Sequence, residues 1–362
     1  MEHRQFDTFD ALRFFACLKV FLLHIPIVAF PVFSFLKAEG GIGVIMFFAL
    51  SGFLISYILL SEKESTGKVN LKRFYLKRSM RICPLFYAML LFAFCTPFIL
   101  NMLHLPSSSE GYEPNWLMSV LFLENYKSMV ENCDANVAPL AVMWSLCIEM
   151  HFYLVWGLTV KFAKMKHIPI IFALIIVIAN VARIVLFAHD LNTCELLSNF
   201  DYFIYGAIPA YCLVKYGDKM ENFVNRIPVL TKWLSIIVAI ALVVIAPLLS
   251  DMVKVLIMPT LWGVSFGWTI TLFTPRESRF KISQGNILSR LGRYTYGFYL
   301  FHLIWIMLLV KVFDMFGLSL DNIGWATLML VLAFSTTMAT AWASYNLFEK
   351  RFIRFASRKS KV

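Results

Sequence analysis

The sequence is poor in charged residues, and this scarcity excludes an ordinary soluble protein. Only 15% of its 362 residues are Asp, Glu, Lys or Arg, whereas 60% are hydrophobic. Soluble domains have about a quarter charged residues. The chain also lacks internal repeats and low-complexity linkers, and its polar first ten residues lead into an apolar segment with no small-residue cleavage pattern. We therefore expect a polytopic membrane protein whose first span is retained.

Acidic residues are fewer than basic ones, and the net charge is +11. The basic residues alternate between the loops: 26 Lys and Arg lie in one set of alternate segments and three in the other. This positive-inside pattern predicts cytoplasmic termini and makes a nucleic-acid partner unnecessary. The apolar windows, each about as long as a membrane is thick, are 11–31, 41–60, 82–101, 138–160, 168–187, 196–214, 233–249, 255–273, 294–312 and 323–347.

These windows predict an all-α, polytopic integral membrane bundle of about ten transmembrane helices, with both termini cytoplasmic. We expect residues 1–362 to form a single transmembrane domain with one long external loop, 102–137, and no fused soluble domain.

The seven cysteines lack the spacing of a metal site. Five lie in or at the edge of apolar windows, where cysteine is commonly a small hydrophobic residue. Cys133 and Cys194 both fall in predicted external loops. They either form a disulfide or remain two separate thiols.

The first apolar window, ALRFFACLKVFLLHIP, contains Arg13, Lys19 and His24. A charged side chain near the centre of an inserted helix costs about 2.5–3.5 kcal/mol. On a helix, Arg13 and His24 lie about 20° apart, Asp10 falls near the same line, and Lys19 points elsewhere. His24 is therefore either a structural hydrogen-bonding residue or a catalytic one.

Two further clusters place ionisable groups on helix faces. Arg78 and Arg81 are three residues apart, so they could bind phosphates together, or serve as ordinary topology determinants and lipid contacts. Ser145 and Glu149 share a face four residues apart, and a carboxylate in hydrocarbon either pairs with an arginine or transfers protons. Similar cases are Asp201 with Arg183 and the stretch LGRYTYGFYLFH, which ends in His302.

The stretch GGIGVIMFFALSGFLIS carries no charge but several small residues. Gly40, Gly41, Gly43 and Gly52 would let helix backbones approach closely. We expect packing to be their main role.

Taken together, these stretches resemble the membrane-bound acyltransferase family 3, the ten-helix O-acyltransferases of bacterial surface polysaccharides. The resemblance lies in five motifs, in order: Asp10, Arg13 and His24 in the first helix; FFALSGFLIS, which includes Ser51; Arg78 and Arg81; WSLCIEMHFY; and LGRYTYGFYLFH. Two positions depart from the pattern, with Thr295 where serine is usual and Arg351 where proline often follows the glutamate.

The resemblance implies a membrane acyltransferase that moves an acyl group, most simply acetyl, from cytoplasmic acyl-CoA to a hydroxyl of a cell-surface or lipid-linked sugar. The implied location is the bacterial cytoplasmic (inner) membrane. Acyl-CoA would be a co-substrate, with no bound cofactor and no metal. His24 would act as general base or transient acyl carrier, with Glu149 orienting an imidazole or balancing Arg13, and Arg78 and Arg81 would bind the donor phosphates. The supporting residues would be Asp10, Arg13, Ser51, Ser145, Asp201 and His302.

The alternative interpretation is a transporter or flippase for a lipid-linked sugar or small solute, because intramembrane charges also mark transport paths. A proton-coupled carrier does not need the Arg78 and Arg81 pair, and the sequence contains no inverted repeat. The number of intramembrane ionisable groups argues against a scaffold.

Overall fold

The structure, a computed structural model, describes residues 4–31, 35, 37, 39–102, 104, 111–278 and 280–359. Within these ranges the chain is helical and has no β-strand; an isolated bridge pairs Tyr112 with Ala135. Residues 103 and 105–110 of the predicted external loop lie outside the described ranges. The α-helices are α1 Phe9–His24, α2 Ile42–Thr66, α3 Leu71–Met102, α4 Trp116–Val120, α5 Glu124–Glu131, α6 Ala138–Ala141, α7 Trp144–Phe162, α8 Ile168–Ala188, α9 Leu196–Arg226, α10 Val229–Ile245, α11 Asp251–Leu256, α12 Met258–Leu272, α13 Ile287–Gly292, α14 Thr295–Met315, α15 Ile323–Ser344 and α16 Lys350–Lys359.

Six of the described helical stretches are long and apolar enough to cross a membrane, so the chain is a multi-pass membrane protein. They are Ile42–Thr66, Leu71–Met102, Met165–Ala188, Val229–Leu248, Thr295–Met315 and Ile323–Lys359. Each coincides with a predicted window. The other four windows coincide with α1, α7, α9 and α12, which are helical. The all-helical prediction is confirmed, whereas the count of ten spans and the cytoplasmic termini stay predictions.

The helices pack as two compact units. One comprises Met1–Val20, Ala38–Val69 and Phe152–Arg293, and is called the first unit below. The second unit comprises Phe21–Lys37, Asn70–His151 and Tyr294–Val362.

In the first unit, glycines bring α2 and α9 into backbone contact. A Cβ atom at Gly52 would lie 1.9 Å from the carbonyl oxygen of Phe203, and one at Gly206 would lie 1.8 Å from that of Ala49. Real Cβ atoms cannot approach that closely, so any larger residue would force the helices apart. The packing role predicted for Gly52 is confirmed.

The other predicted glycines differ from one another. A Cβ at Gly43 would meet the carbonyl oxygen of Ala16 at 2.4 Å, which confirms its role, but a Cβ at Gly41 would meet open space. The prediction for Gly41 is wrong because this residue is the N-cap of α2 and precedes the close crossing. The role of Gly40 stays a prediction.

A buried ion pair joins α8 to α9 within the first unit. Arg183 donates through Nη1 to Oδ1 of Asp201 at 3.0 Å and through Nη2 to Oδ2, and Nη1 also donates to the carbonyl oxygen of Ser198 at 2.8 Å. Arg183 is 4% exposed and Asp201 is fully buried. The predicted pairing is confirmed, and it satisfies two charges that lipid could not.

In the second unit, the segment between α3 and α7 is tied together by hydrogen bonds. The backbone N–H of Tyr112 donates to the carbonyl oxygen of Asp134 at 3.1 Å, and that of Asn136 donates to the carbonyl oxygen of Tyr112 at 2.9 Å. Ser119 donates to the buried carboxylate of Glu124 at 2.6 Å. Residues 111–137, called the cap below, therefore form a compact segment rather than a loose loop; their external location stays a prediction.

The cysteines form no disulfide. All seven, including Cys133 and Cys194, carry thiols. Of the two alternatives for the loop cysteines, the structure has the separate thiols.

Candidate active site

The two units divide the candidate site residues. Those of the first unit are Asp10, Arg13, Ser51 and Asp201; those of the second are His24, Arg78, Arg81, Ser145, Glu149 and His302. The general base and the donor-binding pair named from the sequence thus belong to one unit.

The residues of the first unit have mainly local electrostatic partners. Arg13 donates to Oδ1 of Asp10 at 2.8 Å, one turn earlier on α1. Lys19, which the helix geometry sets apart from that face, interacts electrostatically with Glu39. Ser51 is half-buried in α2. These contacts explain how α1 carries charged groups without leaving them isolated.

In the second unit, the structure brings together two histidines that are 278 residues apart in sequence. Nδ1 of His24, the last residue of α1, lies 3.2 Å from Nε2 of His302 on α14. The ring centroids are 5.0 Å apart. His302 is only 1% exposed, whereas His24 is half-buried. His24 is thus the member of the pair that a substrate can reach.

The hydrogen-bond partners define the tautomers of this pair. Nδ1 of His302 lies 2.6 Å from the carbonyl oxygen of Tyr299, which can only accept, so Nδ1 of His302 carries a proton. Burial favours the neutral ring, and Nε2 of neutral His302 is therefore an acceptor. His24 must then donate through its own Nδ1–H. This arrangement leaves the lone pair of His24 on Nε2, where a general base needs it.

Tyr299 and Ser145 fix the turn of α14 that holds His302. The Tyr299 hydroxyl donates to the carbonyl oxygen of Val142 at 2.9 Å, and Ser145 Oγ lies 2.7 Å from that hydroxyl. Ser145 Oγ also lies 3.3 Å from the carbonyl oxygen of Val142, so the two hydroxyls and this carbonyl form one hydrogen-bonded cluster. Ser145 therefore supports the histidine pair indirectly. Glu149 follows Ser145 by about one turn on α7 and continues the same face.

Asp134, in the cap, is an exposed acidic residue that interacts electrostatically with His24. Partial desolvation raises the pKa of its carboxyl group, and the charge of His24 acts on that pKa in the opposite direction. Asp134 is therefore the acidic group of the cap that acts on the histidine pair.

Arg78 and Arg81 both lie on α3, as the spacing predicts. Arg78 is half-buried and Arg81 is exposed. Arg81 interacts electrostatically with Glu349, which is 5% exposed and ends a π-helical turn, Tyr345–Glu349. Ser344 donates to Glu349 at 2.8 Å, so the carboxylate is held in place. The Glu349 carboxylate can therefore orient the Arg81 guanidinium through their electrostatic attraction.

Three of these contributors are absent from the residues chosen on sequence: Tyr299, Asp134 and Glu349. Tyr299 lies three positions before His302 on a helix, so the motif spacing already contained its signal. Asp134 carries no such signal, because it lies in an irregular segment. Glu349 lies two residues before Arg351, where the sequence departs from the family pattern, so the resemblance predicts no role for it; its burial and its interaction with Arg81 become visible only in the structure.

Among the residues that the structure describes, no group of three or more His, Cys, Asp or Glu residues is arranged to hold a metal ion.

Comparison with known proteins tests the family resemblance independently of the site geometry. O-acetyltransferase OatA of Staphylococcus aureus is 29% identical over 170 residues, which are 46% of this chain and 26% of that protein. Peptidoglycan O-acetyltransferase OatA of Listeria monocytogenes is 31% identical over 155 residues, 41% of this chain and 23% of that protein. The matched part is about a quarter of the length of these relatives, and no solved structure matches the chain. The model of the acyltransferase domain family matches residues 6–342. The chain therefore belongs to acyltransferase family 3, and the resemblance expected from the five motifs is confirmed.

Proposed function

We propose that the chain is a membrane O-acyltransferase that moves an acetyl group from cytoplasmic acetyl-CoA to a hydroxyl of a cell-surface or lipid-linked sugar. The observation that carries this proposal is the pair of His24 and His302, whose hydrogen bonds leave Nε2 of His24 as a base. Both relatives are named O-acetyltransferases, which supports acetyl as the group, and the Listeria relative is named a peptidoglycan O-acetyltransferase, which supports a glycan as the acceptor. We place the protein in the bacterial cytoplasmic (inner) membrane.

The geometry supports a direct transfer step. Nε2 of His24 takes the proton of the acceptor hydroxyl while the hydroxyl oxygen attacks the thioester carbonyl carbon. A C–O bond forms, the C–S bond breaks, and the coenzyme A sulfur leaves with the proton that His24 returns to it. His302 acts as a positioning residue, because it holds His24 in the required tautomer without touching the substrate. Asp134 stabilises the transient imidazolium.

The donor side of the proposal is tested with the double variant Arg78→Ala, Arg81→Ala. We expect the KM for acetyl-CoA to rise about 10- to 100-fold, because two charge-assisted hydrogen bonds to phosphate are lost from a partly exposed site. The rate at saturating donor should change much less. Steady-state kinetics on the purified protein in nanodiscs provide both values.

The matched control is Lys72→Ala with Arg73→Ala, which removes the same charge from exposed positions of the same helix. Its KM should stay close to that of the wild type. An equal rise in both double variants would show that only the total positive charge matters. An unchanged KM in the Arg78 and Arg81 variant would return that pair to a role in topology.

The reaction class itself is tested in cells. We expect mass spectrometry of surface glycans to show one sugar component that loses an acetyl increment when the gene is deleted. Complementation with the wild-type gene should restore the increment, and complementation with the His24→Ala gene should not. If every glycan keeps its mass in the deletion strain, the transferase proposal fails and the transporter or flippase alternative gains support.

A further inference from the structure

The last helix of the second unit, α16, continues a candidate membrane span without a break. The helical stretch Ile323–Lys359 has 37 residues and would be about 55 Å long if straight, whereas the hydrocarbon core of a bilayer is about 30 Å thick. The first part of this stretch, α15, has 22 residues and no charged side chain, so its length of about 33 Å is enough to cross that core. We therefore expect α16 to begin among the lipid head groups.

The charges of α16 are all of one sign and lie on one side. Five of its ten residues are basic and none is acidic. At 100° per residue, four of the five basic residues fall within one sector of about 100°. These four are called the basic face below: Lys350, Arg351, Arg354 and Arg358. The helix thus presents a band of positive charge along most of its length.

The opposite side of α16 is apolar and packs on the protein. It consists of Phe352, Ile353 and Ala356. Ala356 is only 2% exposed, and the two larger side chains are half-buried. The helix packs beside α3 within the second unit, and the ring of Phe352 lies 5.1 Å from that of Phe348. This packing fixes the rotation of α16, so the basic face is directed away from the protein.

The arginines of the basic face are available to an external anion. Arg351, Arg354 and Arg358 are exposed, and none of them forms an ion pair or a side-chain hydrogen bond with another residue that the structure describes. Like charges four residues apart on a helix, such as Arg354 and Arg358, repel each other. A phosphate relieves this repulsion and accepts two parallel hydrogen bonds from one guanidinium. Phosphate is therefore the group that suits this face.

Exposed apolar side chains near the basic face decide between a lipid phosphate and a soluble one. Phe355 is 48% exposed and lies about 40° from Arg351 around the helix axis. Leu347 and Phe348, just before α16, are 65% and 36% exposed. A soluble polyphosphate offers these side chains no apolar cover, whereas the bilayer interface places apolar groups directly beside phosphates. The combination is typical of a helix bound at a membrane surface.

We propose that the basic face of α16 binds the phosphate groups of anionic phospholipids at the bilayer surface. The guanidinium groups of Arg351, Arg354 and Arg358 contact the phosphates, and the ring of Phe355 enters the boundary between head groups and acyl chains. This inference goes beyond the proposed acyl transfer and does not depend on it, because lipid binding at α16 requires neither donor nor acceptor.

The first test compares two lipids on the purified protein in uncharged detergent. We expect the Tm to rise more with phosphatidylglycerol than with phosphatidylcholine, because a lipid that binds the folded state stabilises it. In the triple variant Arg351→Gln, Arg354→Gln, Arg358→Gln, the apparent affinity for phosphatidylglycerol should fall about tenfold or more. The single variant Arg354→Gln, near the centre of the face, should show a smaller loss and replaces the triple variant if that folds poorly.

The matched control is the triple variant Lys164→Gln, Lys166→Gln, Arg226→Gln, which removes three charges from exposed positions of the first unit. It should keep the wild-type response to phosphatidylglycerol. An equal loss in both triple variants would show that only the total charge matters and would overturn the assignment of α16. An equal response of the wild type to the two lipids would overturn it as well.

Phospholipids with a photoreactive head group locate the contact directly. In nanodiscs, the phosphatidylglycerol probe should label peptides that contain Phe355 several-fold more than a phosphatidylcholine probe with the same reactive group. This excess should disappear in the triple variant of α16, and free coenzyme A should not reduce it in the wild type. If coenzyme A suppressed the labelling, the basic face would bind a soluble phosphate and the lipid assignment would be wrong.

The outcomes separate this inference from the proposed function. If the protein transfers no acetyl group but responds to phosphatidylglycerol through α16, the function fails and the lipid assignment stands. If it transfers acetyl groups and the triple variant of α16 responds to both lipids as the wild type does, the function stands and the lipid assignment fails.

Discussion

His24→Ala should lower the rate of acetyl transfer by about 10²- to 10⁴-fold, the usual contribution of a positioned general base. The protein should still insert and fold, because His24 is half-buried at the end of α1 and its ring is not part of the apolar core. The measurement is release of coenzyme A and formation of acetylated acceptor by purified protein. His167→Ala, at an exposed position, is the matched control and should keep wild-type activity.

The variants of His302 separate positioning from mere packing. His302→Leu leaves the Nδ1–H of His24 without its acceptor, so the rate should fall and the pH profile should shift. His302→Gln can still offer an oxygen to that N–H and should recover part of the rate. If both variants lost the same activity with no change in the pH profile, His302 would be a packing residue. If His24→Ala kept wild-type transfer, its role as base or acyl carrier would be wrong.

Asp201→Ala should have the largest effect on stability, about 3–5 kcal/mol. The substitution removes the carboxylate that Arg183 binds with two N–H groups, and the guanidinium would remain buried beside the carbonyl oxygen of Ser198. The cost comes from the charge left behind more than from the lost attraction. Thermal unfolding in detergent or nanodiscs would reveal a strongly lowered Tm.

Two comparisons make this prediction specific. Asp251→Ala removes an 82% exposed carboxylate that lies 3.5 Å from Lys254 and should change stability by less than about 1 kcal/mol. Arg183→Met combined with Asp201→Leu should be far less harmful than Asp201→Ala, since it leaves no buried charge. A Tm for Asp201→Ala close to that of the wild type would mean that water or lipid head groups reach Arg183 after the change.

The features that sequence predicted well are those that a single helix determines. Each of the ten apolar windows predicted from hydropathy coincides with a helix. The three-residue spacing of Arg78 and Arg81 correctly placed both on one helix. Arg183 and Asp201 lie on consecutive helices, so a charge in each already suggested the pair.

The features that sequence could not predict depend on which helices become neighbours. His24 finds its partner on α14, far along the chain, and its periodicity carries no information about that choice. Asp134 acts electrostatically on His24 from a segment without a regular period. Gly41 and Gly43 look alike in sequence, yet only Gly43 meets another backbone. The family motifs pointed to His24. The roles of Asp134 and Gly43 became visible only from the packing of the helices.

The carbonyl oxygen that ends the histidine pair has a further consequence. A proton can reach Nε2 of His24, but the Nδ1–H of His302 points at Tyr299, whose carbonyl oxygen accepts a hydrogen bond and cannot take the proton away. The two imidazoles therefore form a closed-ended pair and not a conducting wire. A proton taken up by Nε2 of His24 therefore does not leave the pair through His302.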